Sequence, residues 1–156
     1  MMAHANLELI QRFYAGFAAH NSVQMNACYH REIIFHDPVF STLDYEKVTG
    51  MWDMLCQNGK DLIVTLVKAE ADDHSGTAEW TAEYTFSATG RYVQNQVTSK
   101  FGFKEGLILT QKDDFDLWKW TRMALGSTGV LLGWTPMLQK ALQKKVKKAL
   151  NTHLKG

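Results

Sequence analysis

The chain has 156 residues and a formal net charge of +1, so it is long enough for one domain with a substantial hydrophobic core. Residues 136–156 carry six lysines and no acidic residue, which leaves a charge of −5 on the rest of the chain. No apolar run is long enough to span a membrane, and MMAHANLELI lacks the pattern of a signal peptide. Cys28 and Cys56 fit no disulfide framework, so we predict a cytoplasmic protein.

The first part of the chain predicts three helices interrupted by one strand. Apolar residues at helical spacing predict a helix over residues 6–20, and a short second helix begins near Ser22. IIFHDP predicts a strand that ends at Pro38, because proline lacks the N–H that a strand ladder needs. LDYEKVTGMWDMLCQNG predicts a third helix, with Asp44 as its N-cap and Gly59 after its end.

From Asp61 onward the apolar period changes to two, which predicts four antiparallel strands joined by short turns. Each strand alternates apolar and polar residues, so one face of this sheet is packed and the other is in water. Helices on one face of a curled sheet make an α+β half-barrel that encloses a cavity. Three polar residues, Asn95, Gln111 and Asp113, fall on the predicted inner face.

Asp37 shares its strand parity with Ile33 and Phe35, whereas His36 faces the other way and is predicted to be structural. Two interpretations of Asp37 remain open. It caps backbone amides at the end of its strand, or it is a pocket carboxylate with a raised pKa.

Asp113 shares the predicted parity of Leu107, Leu109 and Phe115, and a carboxylate on that face needs a partner. Gln111, Asn95 or Asp37 could supply it. Two carboxylates close together push their pKa values apart, which favours an acid/base pair, although a structural polar cluster does the same.

Aromatic residues on the inner face, Trp52, Trp80, Tyr84 and Phe101, are predicted to be core or pocket wall. The Tyr84 hydroxyl needs a partner and could orient a ligand carbonyl. The histidines lack metal-ligand spacing and there is no Cys-x-x-Cys, so we predict neither a metal nor a cofactor.

The order and spacing of QRFYAGFAAHN, FHDPVF, YEKVTGMWDML, TGR and FKEGLILTQKDDFD resemble the nuclear-transport-factor-2-like superfamily. This superfamily includes ketosteroid isomerases, polyketide cyclases and limonene epoxide hydrolase, and the resemblance spans roughly residues 6–120. It implies a cone-shaped half-barrel of curved mixed or antiparallel sheet, N-terminal helices that close its wide end, a ligand pocket and a homodimer.

The same resemblance places Asp37 at the general-base aspartate of the ketosteroid isomerases. Their oxyanion-hole tyrosine and protonated aspartate correspond to Phe13 and Ser99, and Tyr14 should point about 100° away from Phe13 on a helix. Since both donors are replaced, steroid isomerisation is not expected. The Arg-x-Asp pair of the epoxide hydrolases is absent too, whereas Asp113 resembles the acid/base aspartate of polyketide cyclases.

The sequence divides into a cone-shaped domain over residues 1–125 and a tail over residues 126–156. In the tail, LGSTGVLLGWTP suggests a hinge or lid, and an amphipathic helix follows. Its predicted apolar stripe consists of Met137, Leu138, Ala141, Leu142, Ala149 and Leu150. The lysines opposite are solvated while the helix packs on the domain, or they contact an anionic membrane; nucleic-acid binding is not expected.

Two functions follow. The first is a polyketide cyclase/ketosteroid isomerase-like protein that performs cofactor-free acid/base chemistry on an apolar, carbonyl-bearing ligand. Asp113 and Asp37 would exchange protons, and the remaining candidates would orient or line the ligand: Tyr84, Asn95, Gln111, Trp52, Trp80, Phe13, Ser99 and Phe101. The second is a non-catalytic ligand-binding or dimerisation module whose basic tail contacts an acidic surface.

Overall fold

The computed structural model of the chain describes residues 4–155, in which a curved six-stranded sheet packs against helices. The elements are α1 (Ala5–Ala18), α2 (Ser22–Asn26), β1 (Tyr29–Asp37), β2 (Ser41–Leu43), α3 (Tyr45–Asn58), β3 (Ile63–Ala71), β4 (Ser75–Phe86), β5 (Arg91–Lys104), β6 (Leu107–Asp114), α4 (Leu117–Leu125), α5 (Ser127–Leu132) and α6 (Pro136–Lys155). Met1–Ala3 and Gly156, which the predicted ranges 1–125 and 126–156 include, lie outside the described residues.

The strand order is β2-β1-β6-β5-β4-β3, with β1 parallel to β6 and the other neighbours antiparallel. The predicted α+β class with a mixed sheet is therefore confirmed. Helices α1 and α3 cover the face that we call the inner face, and the opposite, outer face carries mostly polar side chains. Register shifts in three strand pairs bend the sheet, because a bulge adds local twist.

The predicted alternation of β6 is wrong at its start. A bulge between Ile108 and Thr110 breaks the parity that Leu107 and Leu109 were expected to share with Asp113. Ile108 is fully buried instead, Thr110 is exposed, and Gln111 and Asp113 still face inward. The bulge lies opposite Gly102, where a Cβ atom would collide with the Thr110 side chain.

The chain after β6 forms a helix that the sequence did not indicate. Asp116 caps α4 by accepting a hydrogen bond from the backbone N–H of Lys119, as an N-cap aspartate does. Trp120 and Ala124 pack with Val93 and Leu142 into a second hydrophobic cluster. The segment predicted as a hinge or lid contains the short helix α5, which packs closely against α4.

Helix α6 packs on the domain through a stripe that shares Leu142 and Leu150 with the predicted one and differs in its other members. Leu142 and Leu150 are buried, and Val146 and Leu154 are partly buried beside them, at a spacing of four residues. Met137, Ala141 and Ala149 of the predicted stripe are exposed. The stripe rests on α3, where Leu154 covers Gly50, and Gln143 Nε2 donates a hydrogen bond to the Pro38 carbonyl oxygen at 2.8 Å.

None of the helices in the described part of the chain is long and apolar enough to cross a membrane.

The observed stripe can be tested by truncating one side chain on each side of α6. Leu150→Ala should lower the free energy of unfolding by about 2–5 kcal/mol, because Leu150 is 2% exposed and its loss leaves a cavity. Met137→Ala is the matched control and should change it little, since Met137 is 76% exposed. Urea unfolding measures both, and equal effects would contradict this packing of α6.

Candidate active site

Two carboxylates lie side by side on the inner face because β1 runs parallel to β6. The ladder pairs Phe35 with Gln111 and His36 with Lys112, so the next residue on each strand is Asp37 on β1 and Asp113 on β6. Neighbouring strands are about 4.8 Å apart. The fold therefore brings together the two acids that the sequence singled out.

Asp113 is the more enclosed of the two, with 4% of its surface exposed. Its Oδ1 accepts a hydrogen bond from Ser99 Oγ at 2.6 Å and another from Gln111 Nε2 at 3.0 Å. Burial raises the pKa of Asp113 to about 7; these two hydrogen bonds oppose the rise, and the nearby Asp37 adds to it. Asp113 is thus able to hold or release a proton near neutral pH.

Two branches of hydrogen bonds converge on Asp113. In the first, Trp80 Nε1 and the Tyr14 hydroxyl both donate to Ser99 Oγ, at 2.8 Å and 2.9 Å. With both acceptor positions of its oxygen occupied, Ser99 has only its proton left to direct, and that proton points at Asp113.

The second branch reaches Asp113 through Gln111. Trp52 Nε1 donates to the Tyr29 hydroxyl oxygen at 2.9 Å, and that hydroxyl donates to Gln111 Oε1 at 2.6 Å. The acceptor role of Oε1 orients the Gln111 amide so that its NH2 group faces the Asp113 carboxylate. Every donor in both branches therefore points toward one carboxylate oxygen.

The other oxygen of Asp113, Oδ2, accepts no hydrogen bond from any described residue. The network thus fixes Oδ1 and leaves the lone pairs of Oδ2 available to a proton or a ligand.

Asp37 fits the first of the two interpretations that the sequence left open, the cap at the end of its strand. Its Oδ1 accepts hydrogen bonds from the backbone N–H groups of Val39 and Phe40, so it caps the turn after β1. It is also buried on the inner face, where burial raises its pKa while the two N–H groups and His36 oppose the rise. His36 itself is exposed and lies 3.1 Å from Thr42 Oγ1, on the predicted outer side.

Tyr84 and Asn95 lie away from the carboxylates, nearer to α4. Asn95 is four residues along β5 from Ser99, which corresponds to about 13 Å. It is consequently not the partner of Asp113, a role that Ser99 and Gln111 share. Tyr84 accepts a hydrogen bond from Trp120 Nε1 at 2.7 Å, and its own proton has no acceptor among the described residues.

The remaining predicted residues form the wall behind the carboxylates. Phe13, Trp52, Trp80 and Phe101 are buried in the main core, with the Phe13 and Trp52 ring centroids 5.7 Å apart. Ser99 lies between this wall and Asp113. Two surface grooves lie elsewhere, one on the outer face of the sheet and one along α6, and neither is lined by Asp37 or Asp113.

The sequence reasoning missed Tyr14 and Tyr29. Tyr14 was expected to point away from the site, but the apolar face of α1 is wide enough to bury both Phe13 and Tyr14. The signal was present, because Tyr14 belongs to the helical apolar set and a buried hydroxyl needs a partner. Tyr29 was missed because β1 begins earlier than the apolar run IIFHDP indicated.

Among residues 4–155, no group of three or more His, Cys, Asp or Glu side chains is placed to hold a metal ion.

Residues 10–110 match the family model of the SnoaL-like domain. No match was found among curated proteins. Several solved structures share the fold at low sequence identity. One is a protein of ketosteroid isomerase-like fold from Catenulispora acidiphila in complex with trimethylamine, at 15% identity and a TM-score of 0.68 over 83% of this chain and 98% of that one.

Two further structures have names that refer to activities. One is IdmH from Streptomyces antibioticus, which has been proposed to be a polyketide cyclase. It is 15% identical, with a TM-score of 0.65 over 77% of this chain and 98% of that one. A limonene epoxide hydrolase-like enzyme from M. tuberculosis is 16% identical, with a TM-score of 0.63 over 86% and 95% of the two chains. At these identities the similarity establishes the fold.

The raised pKa of Asp113 predicts how stability depends on pH. The folded state holds the Asp113 proton up to about pH 7, whereas the ordinary value is 3.8, so this group's stabilising contribution is lost as pH rises through that interval. Asp113→Asn cannot lose a proton. Between pH 5 and pH 8 its stability should therefore rise relative to the natural protein by roughly 2–3 kcal/mol.

Urea unfolding of both proteins at the two pH values measures this difference. Asp114→Asn, on the exposed face of the same strand, is the matched control and should follow the natural protein. A difference between natural protein and Asp113→Asn that does not change with pH would show that Asp113 titrates normally.

Proposed function

The chain belongs to the SnoaL-like domain family, and on this premise we propose that it binds an apolar, carbonyl-bearing small molecule and transfers a proton through Asp113. The observation that carries this proposal is the asymmetric carboxylate of Asp113. One oxygen is fixed by hydrogen bonds, the other has no partner among the described residues, and burial raises the pKa of the group to about 7. A general base is most effective when its pKa lies near the working pH.

The proposed reaction begins with ionised Asp113. Its Oδ2 takes a proton from the carbon next to a substrate carbonyl, the C–H electron pair moves into the carbonyl group, and an enolate forms. The enolate carbon then attacks a second carbonyl of the same molecule, or a different carbon is protonated by neutral Asp113. In the first case Asp113 gives its proton to the new alkoxide oxygen, and in the second it gives its proton to the carbon. Asp113 is ionised again after either step, and neither step needs a cofactor.

The donors around Asp113 restrict the substrate class. Tyr14 and Trp80 donate to Ser99, and Ser99 donates to Asp113, so none of them is free to stabilise an enolate oxygen. An enzyme with few such donors needs a substrate whose enolate is stabilised internally. A carbon flanked by two carbonyl groups, as in a poly-β-ketone chain, meets this requirement better than an isolated ketone does.

The expected ligand position is the junction between the two hydrophobic clusters. Tyr84, Phe115, Leu117 and Val146 contact both clusters and are only partly buried. Tyr84 also has a hydroxyl proton to donate. It pairs with Val93 on β5, six residues from Ser99, so a ligand that reaches from there to Asp113 must span roughly 20 Å. This length fits an elongated molecule of several rings or an extended chain.

A non-catalytic ligand-binding module is the second candidate. Two features favour it: aromatic rings fill the space behind Asp113, and residues 4–155 offer no free oxyanion donor near Oδ2. In that case the carboxylate would serve only to orient the ligand, and its replacement by an amide would change affinity without any effect on turnover.

Exchange of carbon-bound hydrogen distinguishes the two candidates. Aromatic 1,3-diketones incubated with the protein in D2O should gain deuterium faster than in buffer, and the rate should rise with pH through about 7, where Asp113 ionises. Asp113→Asn should lower the enzyme-dependent rate by about 10²- to 10⁴-fold, the usual contribution of a general base. Mass spectrometry of the recovered diketone gives the rate.

Binding is followed separately by quenching of tryptophan fluorescence. The matched control Asp114→Asn should keep the natural rate, because its side chain is exposed on the outer face. Retained binding without any enzyme-dependent exchange would support the binding module, and equal rates in both variants would remove Asp113 from the mechanism.

We also propose that the chain forms a homodimer through the outer face of the sheet. A groove on that face is lined by Val67, Thr81, Gln96 and Thr98, among others, and Ile63 nearby is 59% exposed. A cytoplasmic location and the absence of nucleic-acid binding stay predictions from the sequence.

Light scattering tests the dimer. Val67→Glu should halve the measured mass, because it places a charge on an apolar side chain within the proposed contact. Val23→Glu is the control on α2, where Val23 is 78% exposed and outside the sheet. A monomeric natural protein, or a dimer that survives Val67→Glu, would contradict this interface.

A further inference from the structure

The segment that joins α5 to α6 exposes an unusual amount of apolar surface. Val130, Leu131, Leu132, Trp134 and Met137 are each between 46% and 76% exposed. The Trp134 indole N–H bonds to the Leu131 carbonyl oxygen at 3.2 Å, which holds the ring beside α5. Single exposed apolar residues are ordinary, but five within eight positions form a patch that indicates an interaction site.

A basic surface continues directly from this apolar patch. The groove along α6 is lined by lysines together with uncharged polar residues: Lys140, Gln143, Lys144, Lys147, Lys148, Asn151, Thr152 and Lys155. No acidic residue occurs anywhere in α6 to neutralise it. The surface therefore combines a strong positive charge with a cluster of apolar side chains.

Met137, the member of the apolar patch that belongs to α6, shares one side of this helix with three of the lysines. Met137, Lys144, Lys148 and Lys155 are separated by 7, 11 and 18 residues, counted from Met137, and these spacings keep them within about 20° of one direction on an α-helix. The opposite side carries the stripe of Leu142, which packs on the domain. Packing on the domain therefore uses one side of α6 and leaves the apolar and basic side free.

Charge decides what can cover this surface. A second copy of the chain would bring the same lysines against it, and like charges repel. A nucleic acid would neutralise the lysines but would offer no apolar interior to Leu131 or Met137. An anionic lipid leaflet supplies both, with headgroups for the lysines and acyl chains for the apolar side chains, and tryptophan favours the interface between them.

We propose that residues 130–155 dock the protein onto an anionic membrane surface, with the Trp134 region inserted and the lysines of α6 against the headgroups. The helix lies in the plane of the membrane without crossing it. Docking would also hold the β1–β2 turn near the bilayer, because Gln143 of α6 donates a hydrogen bond to the carbonyl oxygen of Pro38, the residue directly after Asp37. A role in delivering apolar ligand rests on the proposed function, whereas the docking itself does not.

Vesicle flotation tests the docking with the full chain. The protein should float with phosphatidylcholine vesicles that contain phosphatidylglycerol, should stay unbound with phosphatidylcholine alone, and should be released by high salt. The triple variant Lys144→Gln, Lys147→Gln, Lys148→Gln should bind about 100-fold more weakly, given the usual contribution of each lysine at an anionic surface. Trp134→Ser should weaken binding as well, because it removes the inserted ring.

The matched control is Lys60→Gln, Lys104→Gln, Lys119→Gln, which removes the same charge from exposed positions outside α6 and outside the groove of the proposed dimer contact. It should bind like the natural protein. Equal loss in both triple variants, unchanged binding by Trp134→Ser, or retention on RNA but not on vesicles would each overturn the proposal. Diketone exchange in vesicle-free buffer is measured on the same variants, so failure of docking and failure of the proposed function are separate results.

Discussion

A carboxylate held inside a wall of aromatic rings is the constraint on which this structure depends. Burying a charge costs several kcal/mol unless hydrogen bonds replace the lost water, and Asp113 is 4% exposed. Tyrosine, tryptophan, serine and glutamine side chains supply those bonds in two branches that end at its Oδ1. Because burial outweighs the hydrogen bonds, the pKa rises to about 7 and the group keeps two accessible protonation states.

The fold explains why this acid has a neighbour. β1 follows α2 and pairs with β6 in parallel orientation. This pairing places Asp37 beside Asp113 near the ends of the two strands. Asp37 is bound to the turn amides of Val39 and Phe40, and these bonds oppose the rise that burial causes in its pKa. The two acids therefore have different surroundings, with Asp37 fixed by backbone and Asp113 by side chains.

Much of the fold and part of the site could be predicted from the sequence, since periodicity reports which face of an element is buried. It placed Asp37, Gln111 and Asp113 inside and His36 outside, as the structure shows. It failed where position depends on contacts between distant segments. The bulge in β6 is set by the strand that it pairs with and leaves no local signal. The buried stripe of α6 keeps Leu142 and Leu150 of the prediction, but contacts with the domain turn the rest of it toward Val146 and Leu154. The direction of the Tyr14 side chain was predicted wrongly, because the buried face of α1 is wide enough for two adjacent residues, Phe13 and Tyr14.

The proposed chemistry requires that Asp113 changes protonation near neutral pH inside the folded protein. A carboxyl-carbon NMR titration of the natural chain, with Asp113→Asn to assign the resonance, measures this directly. The Asp113 signal should move with a midpoint near pH 7, well above the ordinary value of 3.8. A midpoint close to the ordinary value would mean that the carboxylate is solvated, and the proposed proton transfer through Asp113 would be wrong.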